Sequence, residues 1–516
     1  MSFKVAFIGA GNMGFPCPSF NDPDYPEDVG FEVVGGTGFV RSMFTDLMSV
    51  PEFHDIEVSF TDSDERNLRI VTELCQKDLD ANEIPIKIQA TTNRREALKD
   101  AKYIFNSMRV GDDQVYANDT EIPLKYGVDQ CFADTVCAGG IMYGQRMIAA
   151  MGEICKDIRE VSRPDVLQIN DCNPNPMVVW ACNTYYGVNT IGCCHGVVFC
   201  TKQIGKVLGI NYKDLDIIAA GLNHRTFFLS IKHNGEELKD ILLQAYYDHP
   251  DIHKQEKVRV DVLKNFGCIS TETNGHLSEY VSWYRNDPEK LKKWISMDTF
   301  AGGETAGFLR LCSDGRMWYE EDCENWIHGP AKKYDGSDRS QEHGSYIVEA
   351  LETGRVYREH LNVINHGAIK NLPDDCVVEL PVYVDRNGIN VPVLGELPTG
   401  IAALCSASVS VERLSVMAAV EGNIEYLRQA MLLDPLVGAC CDPDDVIQMI
   451  DEFLIADADY LPQYRQEVEE AKKRWAQREE NHTLIQGKPY MAGARLPLKT
   501  LEELKEEKRL FEISKK

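Results

Sequence analysis

Apolar and polar positions along the first two hundred residues predict strand after helix after strand. "KVAFIGAG" (4–11) is a short apolar run ending in glycines and reads as a buried parallel strand. "GFVRSMFTDLM" (38–48) places apolar residues at 39, 40, 43, 44, 47 and 48, one face of a helix. "IEVSFTD" (56–62) is a second strand, and "REALKDAKYIFNSM" (95–108) reads as a helix followed by a strand. "DVLQIND" (165–171) and "VNTIGCC" (188–194) are two more strands. Between them, "DTVCAGGIMYGQRMIAAMGEICKDI" (134–158) is a glycine-containing loop running into an amphipathic helix. This alternation predicts an α/β class with a doubly wound parallel sheet.

Beyond about residue 200 helical stretches dominate, broken by aromatic segments such as "NHRTFFLSIKHNG" and "GHLSEYVSWYRND". "CVVELPVYVDRNGINVPVLGELP" (376–398) has the pattern of a hairpin around Asn387-Gly388. "VERLSVMAAVEGNIEYLRQAMLLDP" (411–435) and the charged tail from about 464 read as helices. With no repeat and no low-complexity linker, the expected organisation is two packed domains, 1–200 and 201–516.

The first glycines spell Gly9-Ala10-Gly11-Asn12-Met13-Gly14, a G-x-G-x-x-G match. Pro16, Pro18 and the Pro/Asp-rich stretch 18–30 prevent a helix from starting directly after it. The helix begins near 38, and Asp62 follows at the spacing of a ribose-binding acid. A dinucleotide fold with an insertion at about 16–37 accounts for this order; a structural glycine turn without cofactor is the alternative.

Composition narrows the partners. The chain has 516 residues and a net charge of −27, which argues against nucleic acid and against adsorption to anionic lipid. The N-terminus has no signal-peptide pattern, no run of about 18 apolar residues stands out, and 17 cysteines are expected to be mostly reduced. A cytoplasmic protein with no membrane partner is the expectation.

Those thiols draw attention to "TIGCCHGVVF" (190–199) and "GLNHRTFF" (221–228). Cys193, Cys194 and His195 cannot all face one site if the strand runs on regularly. One cysteine can, with His195 turned by the loop and His224 arriving from the next segment. Two protein ligands leave coordination positions open, as catalysis requires. Buried cysteine packing is the plainer alternative.

Taken in order, "FIGAG", "RVGD", "NPM", "CHGV", "GLNH", "HGAIKNLPDDCVVELP" and "AAVEGNIEYLRQAMLLDP" resemble glycoside hydrolase family 4, from residue 4 to about 455. The resemblance implies NAD- and divalent-metal-dependent glycosidase activity, usually with Mn2+. It implies a Rossmann-type domain followed by a lactate/malate dehydrogenase-like α+β C-terminal domain. It assigns Gly9, Gly11, Asn12, Asp62 and Asn175 to the cofactor, Cys194 and His224 to the metal, and Arg109, Asn175 and Asn223 to the substrate. "CHGV" resembles the α-glucuronidase type and lies close to the α-glucosidase type, so a 6-phosphate substrate is not expected. The sequence departs from the family at the 16–37 insertion, at "CNPNPM" and at "DTVCAGG", where a Glu-Thr pattern is commoner.

Most glycosidases place two carboxylates across the scissile bond, and the NAD-dependent family is an exception. No convincing acid pair stands out here. The implied route removes hydride from sugar C3, takes the acidified C2 proton and eliminates the C1 substituent; water then adds and hydride returns. For the C2 base the order is Tyr280, then His276, then Glu279, and His195 is expected to assist the leaving group. A homo-oligomer, dimer or tetramer, acting on a small glycoside is implied. The competing readings are a lactate/malate-type dehydrogenase, which would consume NAD, and a nucleotide-binding sensor.

Overall fold

The computed structural model describes residues 3–11, 39–296, 301–336, 339–340, 342–488 and 499–514. Asn12 and the expected insertion at 16–37 lie outside them. Twelve strands form one sheet among these residues: β1 Lys4–Ile8, β2 Glu57–Thr61, β3 Ile88–Thr91, β4 Tyr103–Asn106, β5 Leu167–Asn170, β6 Thr190–Gly192, β7 Asp216–Leu222, β8 Arg225–His233, β9 Glu236–Glu237, β10 Tyr357–Ile364, β11 Val377–Asp385 and β12 Gly388–Asn390. The order runs β3-β2-β1-β4-β5-β6-β10-β11-β7-β8-β9, with β12 on β11. The first six strands are parallel, in the arrangement of a dinucleotide-binding sheet.

The parallel half folds as its apolar runs dictate. Every residue of β1 is buried, because helices cover both faces of a parallel sheet. Phe7 stacks on Phe105 of β4 with ring centres 4.8 Å apart and meets Phe60 of β2 edge-on at 5.2 Å. Gly9 ends β1 at φ +73, and a β-carbon there would lie 2.6 Å from the Met108 backbone, so only glycine passes the end of β4. The helix Phe39–Met48 differs from the one-faced pattern expected of it, being buried almost throughout. Its polar residues are matched inside: Arg41 pairs with Asp78 at 2.6 Å, and Asp46 accepts from Ser340.

The sheet continues past residue 200. β10 runs antiparallel to β6 through one register pair, Asn362 with Gly192. β11 joins β10 along its whole length and touches β7 at Glu379 opposite Gly221. β7 and β8 form a hairpin closed by Asn223 and His224. The helix Thr399–Glu421 is long and apolar enough to cross a membrane, but 56% of its most apolar 18-residue window is buried, packed against the helices Cys137–Val161 and Ile424–Leu433. It starts 12 residues before the stretch read as helical and stops at Gly422, whose φ of +64 ends it.

Candidate active site

The carboxyl ends of β5 and β6 and the β7–β8 turn carry most of the site. β6 stops at Gly192, two residues earlier than the pattern predicts, so Cys193 and Cys194 lie in the turn before the helix Gly196–Leu208. The turn resolves the facing problem: Cys193 is buried in the core, while Cys194 is half-buried beside the site. Asn175, first residue of the helix Asn175–Thr184, ties the strands together by donating to the carbonyls of Asn170 (3.2 Å) and Cys193 (2.9 Å). Its buried Oδ1 has no hydrogen bond among the described residues.

His224 occupies the left-handed region, φ +59, at the tip of the hairpin. A histidine held there without glycine's freedom is a strained position of the sort found at functional sites. Its Nδ1 lies 2.6 Å from Thr135 Oγ1, which is 2.9 Å from Asp134 Oδ1. With the threonine proton given to Asp134, Thr135 accepts from Nδ1–H, and Nε2 keeps its lone pair for a cation. Gly140 makes this approach feasible, since a β-carbon there would lie 2.6 Å from the Thr135 backbone.

Two carboxylates that sequence reasoning missed complete the cluster. Ligand atoms of Cys194, His224 and Glu272 lie within 4.8 Å of one another, as do those of Asp134, His224 and His276. His276 stands 3.1 Å from Glu272 Oε2 and 3.4 Å from Asp134, an ion-pair contact on the Glu272 side rather than an aligned hydrogen bond. Its ring stacks between Phe132 (3.4 Å) and His224 (4.4 Å). The only sequence hints were the place of Asp134 in "DTVCAGG" and the four-residue spacing of Glu272 and His276.

The charges are strongly coupled. Burial pushes Asp134 up, but His276 and His224 outweigh it and hold the carboxyl well below its ordinary range. Glu272 is lowered likewise, burial being overcome by His224 and His276. Burial lowers His276, while Asp134 and Glu272 carry it up to about 10. The Cys194 thiol is pushed well above its usual value by burial, then by Glu272 and Glu379, despite the Gly196 N–H that points at it. A divalent cation among these anionic donors would reverse the thiol's preference.

Tyr280 is buried, its hydroxyl 3.4 Å from Asp134 Oδ1 and its acidity weakened by burial, Asp134 and Glu279. Glu279 accepts backbone N–H groups from Cys131 (2.6 Å), Phe132 (2.5 Å) and Ala133 (3.1 Å), so its carboxylate is engaged in holding the loop. His195 Nε2 sits 2.7 Å from Glu342 Oε1, and Glu342 is the main cause of its rise to about 9. The ring is 55% exposed, so solvent screens part of that pull. Asn223 is buried near Cys194 and Glu379 without closing a well-aligned hydrogen bond. Arg109 follows β4, its guanidinium 3.7 Å from the Tyr116 ring centre and its Nη2 without a hydrogen bond among the described residues.

Gly9 and Gly11 follow β1, and Asp62 follows β2. Asp62 accepts from the backbone N–H of Gly11 (2.8 Å) and of Asp64 (2.9 Å), so it fixes the glycine turn.

Residues 29–210 match the family model described as family 4 glycosyl hydrolase, and residues 219–437 match its C-terminal domain. The chain is 44% identical over 508 residues to an α-galactosidase of Rhizobium meliloti (strain 1021), spanning 98% of both chains. An α-galactosidase of Bacillus subtilis (strain 168) is 30% identical over 85% of this chain and 99% of its own. The chain belongs to glycosyl hydrolase family 4. Among solved structures, the family fold recurs in a 6-phospho-α-glucosidase from gut microorganisms in complex with NAD and Mn2+, at TM-score 0.71 and 20% identity, over 90% of this chain and 99% of that one. It recurs also in a Thermotoga maritima 6-phospho-β-glucosidase with manganese, NAD+ and glucose-6-phosphate, at TM-score 0.68 and 21% identity, over 89% and 99%. Membership in family 4 makes the chain a glycosidase and decides against the lactate/malate-type dehydrogenase.

Proposed function

We propose that this chain is an NAD- and divalent-cation-dependent α-galactosidase, cytoplasmic and homo-oligomeric, with Mn2+ as the expected ion. The galactoside is supported by the names of the 44% and 30% identical relatives. The cation is supported by one observation above all: thiol, imidazole and carboxylate donors within 4.8 Å of one another at the seam of the sheet. Cys194, His224 and Glu272 would hold it. The nucleotide is supported by the parallel strand order and by the orphaned Oδ1 of Asn175 at the end of β5. Gly9, Gly11 and Asp62 would receive its adenosine side and Asn175 its nicotinamide side.

When bound, NAD supplies a reversible hydride acceptor for sugar C3, and the cation supplies positive charge beside O2 and O3. Around them, Tyr280 takes the C2 proton. Burial, then Asp134 and Glu279, hold its hydroxyl too weakly acidic to ionise until positive charge enters the neighbouring donors, and it accepts the proton as the phenolate. His195 gives its Nδ1 proton to the glycosidic oxygen as the C1–O bond breaks, and Glu342 keeps the ring in place at Nε2. Arg109, packed on Tyr116, and Asn223 would orient the sugar hydroxyls. The 1–200 half would supply the nucleotide contacts together with Arg109, Cys194 and His195, and the 201–516 half the remaining cation and sugar contacts.

The test is cleavage of α-galactosides by protein freed of nucleotide and divalent ions, then resupplied with each. Activity should require both, and galactose released in deuterated water should carry deuterium at C2. Full activity without either, or product lacking C2 deuterium, would overturn the proposal. Parallel assays with α-glucosides and α-uronides test the sugar.

A further inference from the structure

The start of the helix His343–Thr353 grips the turn that carries Cys194 and His195. Glu342 Oε1 lies 2.7 Å from His195 Nε2, and its side chain is 7% exposed. The next residue, His343, is buried and places Nε2 2.9 Å from the carbonyl oxygen of Cys194. Its other nitrogen is 2.8 Å from the Tyr357 hydroxyl on β10. Two adjacent residues of one element therefore hold two adjacent residues of another.

The grip has its own support. The Glu342 backbone N–H is 3.1 Å from Ser340 Oγ, and Ser340 donates through both N–H and hydroxyl to Asp46 in the buried helix Phe39–Met48. The two imidazoles lie side by side, ring centres 6.4 Å apart, and the Phe39 ring meets His195 edge-on at 6.2 Å. His195 Nδ1, by contrast, makes no hydrogen bond among the described residues. Among the described residues one nitrogen is tethered and the other is not, on a side chain exposed enough to swing without the tether.

We propose that Glu342 and His343 are positioning residues for the reaction: Glu342 turns the free nitrogen of His195 towards the glycosidic oxygen, and His343 fixes the backbone from which the Cys194 thiol projects. The proposal rests on the reading that His195 protonates the leaving oxygen. Proton transfer of this kind works only within hydrogen-bond reach, so an untethered ring forfeits most of its contribution.

The experiment compares an alkyl α-galactoside, whose leaving group needs a proton, with p-nitrophenyl α-galactoside, which needs it far less. Glu342→Ala should lower kcat for the alkyl substrate at least about tenfold more than for the aryl one, and His195→Ala should do the same. The double variant should be no worse than His195→Ala alone, and Glu342→Asp should recover part of the loss. Equal losses on both substrates, or losses that multiply in the double variant, would overturn the proposal.

A second readout needs no substrate. In protein with 15N-labelled histidine, the carboxylate-bonded Nε2–H signal of His195 should be present in the wild type and absent in Glu342→Ala. If the signal is missing in the wild type, the grip is refuted whatever the enzyme cleaves. If it is present while the protein cleaves no galactoside, the failure lies with the assigned activity. For His343, the variant His343→Ala should weaken the thiolate charge-transfer band of Co2+-loaded protein; an unchanged band would refute that half.

Discussion

Replacing Gly196 by alanine probes the cation donors through packing alone. The added methyl would sit 1.9 Å from Glu272 Oε1 and 2.9 Å from its carboxyl carbon, with the Thr271 carbonyl 3.2 Å away. The carboxylate must retreat by more than an ångström. It has little room, because Glu272 is buried and its other oxygen stands 3.1 Å from His276 Nδ1. Overpacking of this sort costs about 1–3 kcal/mol. Alanine in place of glycine returns about 1 kcal/mol of helix propensity at the start of the 196–208 helix. The fold should therefore survive, with a melting temperature lowered by a few degrees. The donor set should not: with one of three donors displaced, Mn2+ affinity measured by titration calorimetry should fall about thirtyfold, equivalent to about 2 kcal/mol. Glu272→Gln should weaken Mn2+ similarly without the steric cost. Wild-type Mn2+ affinity in both variants would refute the assignment of Glu272 and the reasoning from its packing.

Three further outcomes are expected. Arg146 is buried between Asp119 (contact at 2.5 Å) and Asp457 (2.8 Å), so Arg146→Met, which strands two buried carboxylates, should cost about 3–5 kcal/mol in urea unfolding. Burial pushes Asp46 up to about 6 against the pull of its Ser340 hydrogen bonds; its folded value thus exceeds its unfolded one, its stabilising share is full below pH ~4, and up to about 3 kcal/mol is lost between pH ~4 and 6. Asp46→Asn should flatten that stretch of the stability–pH curve relative to wild type. Glu279→Gln should cost about 2 kcal/mol of stability by weakening three backbone hydrogen bonds, while kcat at the pH optimum falls less than about tenfold; a loss of about a hundredfold or more would return Glu279 to the candidate bases.

What could be read in the chain follows from the range of the forces involved. β1, β2, β4 and β5 are short apolar runs, and a buried parallel strand announces itself locally. Asp62 was legible because its distance from the glycine turn reflects a local supersecondary unit. Cys194 and His224 were legible as rare residue types in a recognisable order. Asp134 and Glu272 were not, since a carboxylate in a loop has no spacing rule; tertiary packing brings them to His224 and His276. Glu342 was hidden for the same reason, being remote in sequence from His195. The ranking of bases also needed the fold: Glu279 is spent on backbone amides, and His276 lies between two carboxylates. β10, a half-buried strand ahead of the hairpin, carried too little alternation to be separated from its helical neighbours.

The join between β6 and β10 is a single register pair, and it has a mechanical consequence. Cys194 hangs from one side of that join and His224 from the other, so an ion clasped by both would act as a rivet across it. Occupancy at a hundred times the dissociation constant would then add about 2.7 kcal/mol against unfolding. Chelation should accordingly open the protein along this joint before it loosens either flank.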